Sequence, residues 1–237
     1  VNNRFVQWTS AGTIIRACGQ RGFTSAGDFN WPRGLAVDPT SGEIWIADTK
    51  QSDIQIIKAD CTPVAQFGTL GTGLANFNWP YSVAIRHSDG IAWIADTVNN
   101  RVVSYKVSTR TAISSFPGLS QPGAVAVAPA NGHLYVVNSK ANTVVELSDT
   151  AGSSITLVRT LTGGFSKPLG VTVDALGHIY VADSGNSRVV VLNSDGTQAG
   201  IITGGFNHPE DLSIAPNGNL LISDTYNDKI LRYSVTF

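Results

Sequence analysis

The sequence predicts an all-β fold of the propeller class, in which four-stranded antiparallel sheets form blades around a central channel. A pattern of proline, alternating apolar residues, glycine and a closing Asp or Asn recurs five times in the 237 residues. The prolines are Pro32, Pro80, Pro122, Pro168 and Pro209; the glycines are Gly42, Gly90, Gly132, Gly177 and Gly218; the closing residues are Asp48, Asp96, Asn138, Asp183 and Asp224. The prolines lie 41 to 48 residues apart, and a period of this length, made of short strands, is typical of a propeller blade.

One copy of the pattern illustrates the predicted strands. Residues 169–173 and 178–182 are rich in β-branched and aromatic side chains, which favours strands packed on both faces. The residues between them are too few for anything but a hairpin. Turn-forming Ser, Gly and Asn then precede a third strand at 188–192, and a further turn precedes a fourth at 197–202. Each copy is therefore one blade of four strands.

These motifs resemble the NHL repeat. The resemblance is carried by "GVTVD", "GHIYVADS" and "NSRVVVL" in the fourth copy, by "WPRGLAVD" with "GEIWIADT" in the first, and by "AWIADTVNNRVV" at 92–103. It covers nearly the whole chain and implies a propeller. It implies no single function, because propellers of this kind bind proteins, bind RNA or act as enzymes.

The number of blades depends on the N-terminal segment. Residues 1–6 match residues 98–103, so the chain starts at the third strand of a unit. In one closure, residues 13–17 complete the blade that begins at Glu210, which gives five blades. In the other, which we favour because residues 4–8 match a third strand so closely, the segment belongs to a sixth blade. We expect a single domain over 1–237, excerpted or processed from a longer chain.

Composition excludes two classes of function. The net charge is −1 and no Lys/Arg-rich stretch occurs, which argues against a nucleic-acid partner. No apolar run approaches the roughly 20 residues that a membrane-spanning helix requires. The low lysine content, the abundance of Ser, Thr, Gly and Asn, and the processed-looking start favour an extracellular or cell-surface location.

Two cysteines occur, Cys18 and Cys61. Cys18 lies near the end of one fourth strand, whereas Cys61 lies in the turn before another. The two positions are then a strand length apart, about 17–20 Å, and a disulfide needs Cα atoms within about 7 Å. We therefore predict two free thiols.

The repeated acidic residue is interpreted as a turn cap whose carboxylate accepts backbone N–H bonds, because a residue present in nearly every blade has a structural role. A basic residue follows it by five positions, and the basic set comprises Arg4, Arg101, Arg188 and Lys229. The third copy carries Asn138 and Thr143, so it lacks both charges. This joint loss predicts an ion pair.

Candidate site residues are those that break the repeat at the channel mouth. Arg33, Tyr81, Glu210 and Asp211 are polar and follow the repeat prolines. A five-bladed closure would bring Glu210 and Asp211 close to Arg33, where they would bind a small polar ligand or a cation, or simply pair with one another.

Two aromatic residues and one histidine extend this candidate site to the rim. The tetrapeptide Phe-Asn-Trp-Pro places Trp31 and Trp79 on the same face, as interaction residues or as filler between blades. His208 is the histidine expected nearest the channel.

The predicted function is a non-enzymatic binding or assembly module with a protein or glycan partner, and self-assembly is a possible mode. The alternative is a channel-centred lyase or hydrolase that uses Ca²⁺ or Zn²⁺, which the resemblance also allows. His133 and His178 occupy a position that is Ile91 in another copy, so they are not expected to be ligands. A three-ligand zinc site cannot be assembled. We therefore assign no catalytic residue, metal or cofactor under the preferred reading.

Overall fold

The computed structural model describes residues 2–22 and 26–235, which form short β-strands and three 3₁₀ turns. The first strands lie outside the blades: β1 (Phe5–Trp8) and β2 (Ile14–Cys18) form an antiparallel hairpin, and β3 (Gln20–Arg21) and β4 (Asp28–Phe29) form a short parallel pair. The turns are Ser139–Ala141, Ser184–Asn186 and Thr225–Asn227. None of the helical segments in the described ranges has the length and apolar character needed to cross a bilayer.

The remaining strands form five antiparallel sheets in chain order. Blade 1 contains β5 (Pro32–Val37), β6 (Ile44–Asp48), β7 (Asp53–Ile57) and β8 (Pro63–Phe67). Blade 2 contains β9 (Pro80–Arg86), β10 (Ile91–Asp96), β11 (Arg101–Lys106) and β12 (Thr111–Phe116). Blade 3 contains β13 (Pro122–Val127), β14 (Leu134–Asn138), β15 (Thr143–Thr150) and β16 (Ser154–Leu161).

Blade 4 contains β17 (Val171–Val173), β18 (Ile179–Asp183), β19 (Arg188–Leu192) and β20 (Gln198–Ile202). Blade 5 contains three strands, β21 (Pro209–Ile214), β22 (Leu220–Asp224) and β23 (Lys229–Tyr233). The prediction of an all-β propeller with four antiparallel strands in a full blade is confirmed.

The favoured count of six blades is not supported, because the described residues contain five blades. The closing strand expected for a five-bladed ring is also absent from the described pairings. Residues 14–18 pair with β1, with Phe5 opposite Cys18, and β23 has β22 as its strand partner. The N-terminal segment therefore forms a hairpin of its own and does not complete blade 5.

Apolar side chains between neighbouring blades form the core. The largest include Trp45 of blade 1 and Trp93 of blade 2, both fully buried. Between blades 1 and 2, the ring centroids of Phe67 and Tyr105 lie 5.0 Å apart, and Phe77 packs beside both. In blades 2 to 4, neighbouring blades cover the sheet on both faces, so the second strand is almost entirely buried and is apolar up to its capping residue.

The prediction that the repeated acidic residue caps a turn is confirmed in the four blades that carry it, and Asn138 makes the same bond in blade 3. In each blade, the side-chain Oδ1 accepts the backbone N–H of the residue two positions before the repeat proline, at 2.5–2.7 Å. The acceptors are Asp48, Asp96, Asn138, Asp183 and Asp224, and the donors are Asn30, Asn78, Ser120, Ser166 and Asn207. Each cap fixes the loop that leads into the first strand of its own blade.

The predicted ion pair is confirmed in blades 2 and 4. Arg101 Nε lies 2.7 Å from Asp96 Oδ2, and Arg188 Nε lies 2.6 Å from Asp183 Oδ2. Blade 1 carries Asp53 at the position of the arginine, and there Gln55 donates to Asp48 Oδ2 at 3.1 Å. A neutral amide thus replaces the guanidinium as the donor to the capping carboxylate.

The prediction of free thiols is wrong, because Cys18 and Cys61 form a disulfide with their Cα atoms 5.4 Å apart. The prediction assumed that the positions of the two cysteines in the repeat are a strand length apart. Cys18 ends β2, Cys61 lies in the turn between β7 and β8, and both cysteines contribute to an apolar cluster that also includes Ile57 at the end of β7. The disulfide fastens the N-terminal hairpin to blade 1.

Candidate binding site at the channel mouth

The residue before each repeat proline has a left-handed backbone. These residues are Trp31, Trp79, Gln121, Lys167 and His208, with φ between 45° and 60°. In three of them the strained peptide is held by an asparagine of the preceding unit, whose Oδ1 accepts the N–H: Asn3 for Trp31, Asn100 for Gln121 and Asn142 for Lys167. The repeat therefore fixes one variable side chain per blade at the rim of the channel.

A cavity of about 470 Å³ lies at the channel mouth. Its lining comprises Trp31, Pro32, Arg33, Gly34, Tyr81, Ser82, Ala124, Glu210, Asp211, Ser223 and Thr225. A Cβ on Gly34 would lie 2.6 Å from the Cα of Ser82, so only glycine allows β5 and β9 to approach this closely. The close approach of these inner strands brings residues of different blades into one cavity.

Arg33 is the centre of the polar cluster in this cavity. Its NH1 donates to the Tyr81 hydroxyl at 2.8 Å, and the guanidinium lies 4.6 Å from the centroid of the Tyr81 ring. The same NH1 lies 3.5 Å from Glu210 Oε2. The sequence-based expectation that Glu210 approaches Arg33 therefore agrees with the geometry, and the guanidinium joins blades 1, 2 and 5.

Two groups in the cavity have raised pKa values. Burial of the phenol raises the pKa of Tyr81 to about 12, so its hydroxyl remains protonated and can donate to a ligand. Asp211 is exposed at the cavity, and the protein atoms packed around its carboxyl raise its pKa to about 6; the charge of Glu210 adds to the effect. Asp211 therefore changes its charge close to neutral pH.

Aromatic residues flank the polar cluster. Trp31 lines the cavity, and the Lys50 ammonium lies 3.5 Å from the centroid of its ring, a cation–π contact. Trp79 is 46% exposed and is not part of the cavity lining. His208 also lies beside the cavity: its ring stacks on Tyr226 at 4.7 Å, and its Nε2 lies 3.8 Å from Glu210 Oε1.

Five of the seven predicted site residues thus meet in one cavity: Trp31, Arg33, Tyr81, Glu210 and Asp211. Sequence reasoning missed Lys50, Ser223, Thr225 and Tyr226. A sequence pattern does mark Thr225, since a residue with a hydroxyl side chain directly follows the capping residue in every unit. The other three occupy positions whose residue type varies between units, and no signal marks them.

The donor set does not fit zinc. Within 2–22 and 26–235, no group of three or more His, Cys, Asp or Glu is placed to hold a metal ion. His133 and His178 lie elsewhere and contact acids of their own units, with Nδ1 2.6 Å from Glu146 Oε1 and 2.9 Å from Asp174 Oδ2. Glu210 and Asp211 are the two carboxylates at the mouth, and the Arg33 charge beside Glu210 further disfavours a cation.

Comparison with known proteins identifies the repeat. The family model for the NHL repeat matches residues 29–57 and 165–192. The chain folds as a β-propeller that carries NHL repeats at these positions. No curated protein matches the sequence.

Solved structures match this NHL-repeat propeller over almost its full length at low sequence identity. In a nidogen/laminin complex, the TM-score is 0.74 and the identity 18%, with 96% of this chain and 83% of the other covered. A gluconolactonase from Xanthomonas campestris gives 0.73 and 18%, with coverages of 94% and 76%. A catalytically inactive virginiamycin B lyase from Staphylococcus aureus gives 0.69 and 14%, with coverages of 98% and 77%. At such identities the likeness extends to the fold alone.

Proposed function

We propose that the NHL-repeat propeller is a non-enzymatic binding module whose ligand, a protein segment or a glycan, enters the channel mouth and contacts the rim. The observation that carries the proposal is the Arg33 cluster, in which a guanidinium stacks on Tyr81 and lies 3.5 Å from Glu210. Arginine and the large aromatic residues dominate binding energy in protein interfaces.

The chemistry of the mouth suits a polar ligand with an apolar face. Arg33 and Tyr81 provide donors, Glu210 and Asp211 provide acceptors, and Trp79 at the rim provides an exposed ring on which a side chain or a sugar can stack. We favour a protein segment over a glycan, because Trp, Tyr and Arg together are the composition of an interface hot spot. Parallel screens with peptides and with glycans distinguish a protein ligand from a glycan ligand.

An extracellular or cell-surface location forms part of the proposal. The disulfide between Cys18 and Cys61 supports it, because disulfides persist in oxidising compartments and are rare in the cytosol of most organisms. A structural neighbour occurs in a nidogen/laminin complex, which supports a protein ligand in this proposal.

Binding selections with matched variants test the proposal. A random peptide library and a glycan array are each presented to the folded chain. We expect peptides that bind the native chain and lose at least about tenfold in affinity on Arg33→Ala or Trp79→Ala, the typical effect of truncating a hot-spot residue. Leu176→Ser, at an exposed loop residue between β17 and β18, is the control and leaves affinity unchanged.

Three results would contradict the proposal in different ways. Peptides whose affinity is the same for Arg33→Ala and for the control would place binding elsewhere on the surface. Saturable binding on the glycan array alone, lost in Trp79→Ala, would replace the protein ligand by a glycan. Absence of any ligand, with all variants folded by thermal melting, would remove the binding role.

A second candidate is a hydrolase or lyase centred on the channel, and the pKa of Asp211 favours it. A carboxyl that titrates near pH 6 is suited to general base or acid catalysis. A gluconolactonase and a lyase are also among the structural neighbours. Under the preferred proposal, added Ca²⁺ or Zn²⁺ gives no turnover of sugar lactones or cyclic depsipeptides. Turnover that Asp211→Asn abolishes would establish the enzyme.

A further inference from the structure

The connection between blades 1 and 2 exposes a group of apolar side chains. Leu70 is 69% exposed, Trp79 46%, Val98 43% and Leu74 40%. The two leucines and the tryptophan belong to the loop at 68–79 that joins β8 to β9, and the valine lies in the turn between β10 and β11. We call these four side chains the leucine surface. Both blades that carry it have four strands.

Hydrogen bonds hold the turn of blade 2 against the loop. The Val98 N–H donates to the carbonyl of the residue before Trp79 at 3.0 Å. Asn99 Nδ2 donates to the Gly71 carbonyl at 2.8 Å, so the same turn also lies beside Leu70. The exposed valine, tryptophan and leucine therefore belong to one continuous patch.

Arg101 fixes the part of the loop that carries Leu74. Its NH2 donates to the carbonyls of Gly73 and Asn76 at 2.7 and 2.9 Å, and its NH1 donates to a third loop carbonyl at 2.9 Å. The fully buried Phe77 anchors the end of the loop in the core. The apolar side chains are thus held in place before a partner arrives, which lowers the entropic cost of binding.

An equivalent loop shows that the fold does not require a leucine at position 70. In the connection before blade 1, Arg21 pairs with Phe29 in parallel, as Leu70 does with Phe77. In both loops the following glycine donates to the phenylalanine carbonyl, at 3.3 and 3.0 Å. One loop therefore exposes an arginine where the other exposes a leucine. Since this loop conformation accommodates a charged side chain, the leucine serves the surface rather than folding.

The leucine surface carries no charge of its own. No Lys, Arg, His, Asp or Glu occurs between Cys61 and Ile85. The adjacent Arg101 is only 11% exposed, and its Nε lies 2.7 Å from Asp96 Oδ2. The surface therefore offers no electrostatic attraction to an acidic or a basic ligand. It also lacks the exposed Lys and Arg residues that accompany apolar residues in attachment to a lipid surface.

The area of the leucine surface limits what it can bind. Exposed fractions of 40–69% on four large side chains correspond to a patch on the order of 400 Å². Each partner contributes about 800 Å² to a stable interface between two folded proteins, so the patch is too small to hold a second copy of the chain. A short segment that contributes a few apolar anchors matches it.

We infer that the leucine surface binds an uncharged apolar segment of a partner protein, whose Leu, Ile or Phe side chains pack on Leu70, Leu74 and the Trp79 ring. The surface adjoins the rim of the channel through this tryptophan. The inference does not depend on what the channel mouth binds, because the polar cluster there is centred on Arg33.

Selection from a phage-displayed library of random peptides tests the inference. The bait is the Arg33→Ala variant, which removes the guanidinium of the mouth, and selection in high salt suppresses charge-driven binding. We expect peptides with two or more large apolar side chains that bind the native chain and the bait equally. Their affinity should be the same in low and high salt, and they should slow amide hydrogen exchange at residues 69–79.

Variants of the loop decide where the peptides bind. Leu70→Arg copies the residue of the equivalent loop, so the variant remains folded, which thermal melting checks. Leu70→Arg and Leu74→Ser should each weaken binding at least about tenfold, the effect typical of removing a hot-spot side chain. Leu176→Arg, at a 77% exposed residue in a loop of blade 4, is the control and leaves affinity unchanged.

Three results would overturn the inference. The first is a failure to select peptides, or peptides that bind Leu70→Arg and Leu176→Arg with equal affinity. The second is sedimentation of the chain with phosphatidylcholine vesicles that Leu70→Arg abolishes, which would make a lipid surface the occupant. The third is a dimer, detected by light scattering, that Leu70→Arg dissociates while no peptide binds; the occupant would then be a second copy of the chain.

Discussion

Removal of the Cys18–Cys61 disulfide should lower the free energy of unfolding by about 4 kcal/mol. The bond closes a loop with a sequence separation of 43 residues. The chain-entropy relation gives an entropy of about −13 cal/mol/K for a loop of this length, which corresponds to about 4 kcal/mol at 25 °C. For a domain of this size, each kcal/mol shifts the melting temperature by roughly 2–4 °C. We therefore expect Cys18→Ala with Cys61→Ala to melt about 8–16 °C lower.

The local packing explains why the hairpin depends on this bond. The two β2 residues nearest the turn, Ile14 and Ile15, are both exposed. The buried contacts of the hairpin are those of Cys18 with Phe29 and Ile57. Without the covalent link, the hairpin retains a small apolar cluster and the hydrogen bond that the Trp31 N–H donates to Asn3 Oδ1. Its amides should then exchange faster than those of blades 2 to 4.

Calorimetry with and without reductant provides the assay. The native chain should melt at a lower temperature when a thiol reductant is added, whereas the double alanine variant should be insensitive to it. Alkylation of the unfolded, unreduced chain should leave its mass unchanged. Two alkyl adducts under these conditions, or a native melting temperature that reductant does not move, would contradict this prediction.

Three further predictions concern buried polar groups and close packing. Arg86→Ala should lower the free energy of unfolding by about 3–5 kcal/mol in urea titrations, because it leaves the buried Asp149, 2.5 Å from Arg86 NH1, without a counter-charge. Burial raises the pKa of Asp48 to about 7 and of Asp53 to about 6, so the unfolded chain loses these protons first as pH rises. Their contribution to stability is full below about pH 4 and is lost by about pH 7, and Asp53→Asn should flatten this decline. Gly34→Ala should cost about 1–3 kcal/mol, because its Cβ would lie 2.6 Å from the neighbouring strand's backbone.

Each of these predictions has a contradicting result. An Arg86→Ala variant as stable as the native chain would mean that Asp149 finds another partner or becomes protonated. A free energy of unfolding that rises between pH 4 and 7 equally in the native chain and in Asp53→Asn would show that other groups dominate the pH dependence. A Gly34→Ala variant of native stability would show that β5 can shift away from β9.

Features that recur in every repeat unit could be predicted from the sequence. Aligning the copies shows where each residue lies within the repeat, although it gives no distances in space. The capping of turns by Asp48, Asp96 and their equivalents follows from that position alone. The pairing of Asp96 with Arg101 was predictable because both charges disappear together in blade 3. The meeting of Arg33 with Glu210 was also predictable, since the residues after the prolines face one channel.

The features that the sequence did not predict correctly depend on contacts between different repeat units. The disulfide joins β2 to a turn of blade 1, and an alignment of repeats gives no distance between different sheets. The predicted count of six blades is not supported, because a segment that matches a third strand at residues 4–8 does not show whether a first and a second strand pair with it. The Arg86–Asp149 pair joins blades 2 and 3 from positions where no other unit has charges of this kind, so no repeat pattern marks it.

Blade 1 shows how a repeat tolerates the loss of its ion pair. With Asp53 in place of arginine, the capping Asp48 would face a second buried acid and no cation. Gln55 occupies a position that is Val103 in blade 2, and its amide donates both to Asp48 Oδ2 at 3.1 Å and to the Asp28 carbonyl at 2.5 Å. Arg101 likewise joins its own cap, Asp96, to loop carbonyls. The geometry of the cap is therefore preserved while its charge balance is not, and blade 1 carries two buried acids, Asp48 and Asp53, whose raised pKa values make the stability of the fold depend on pH.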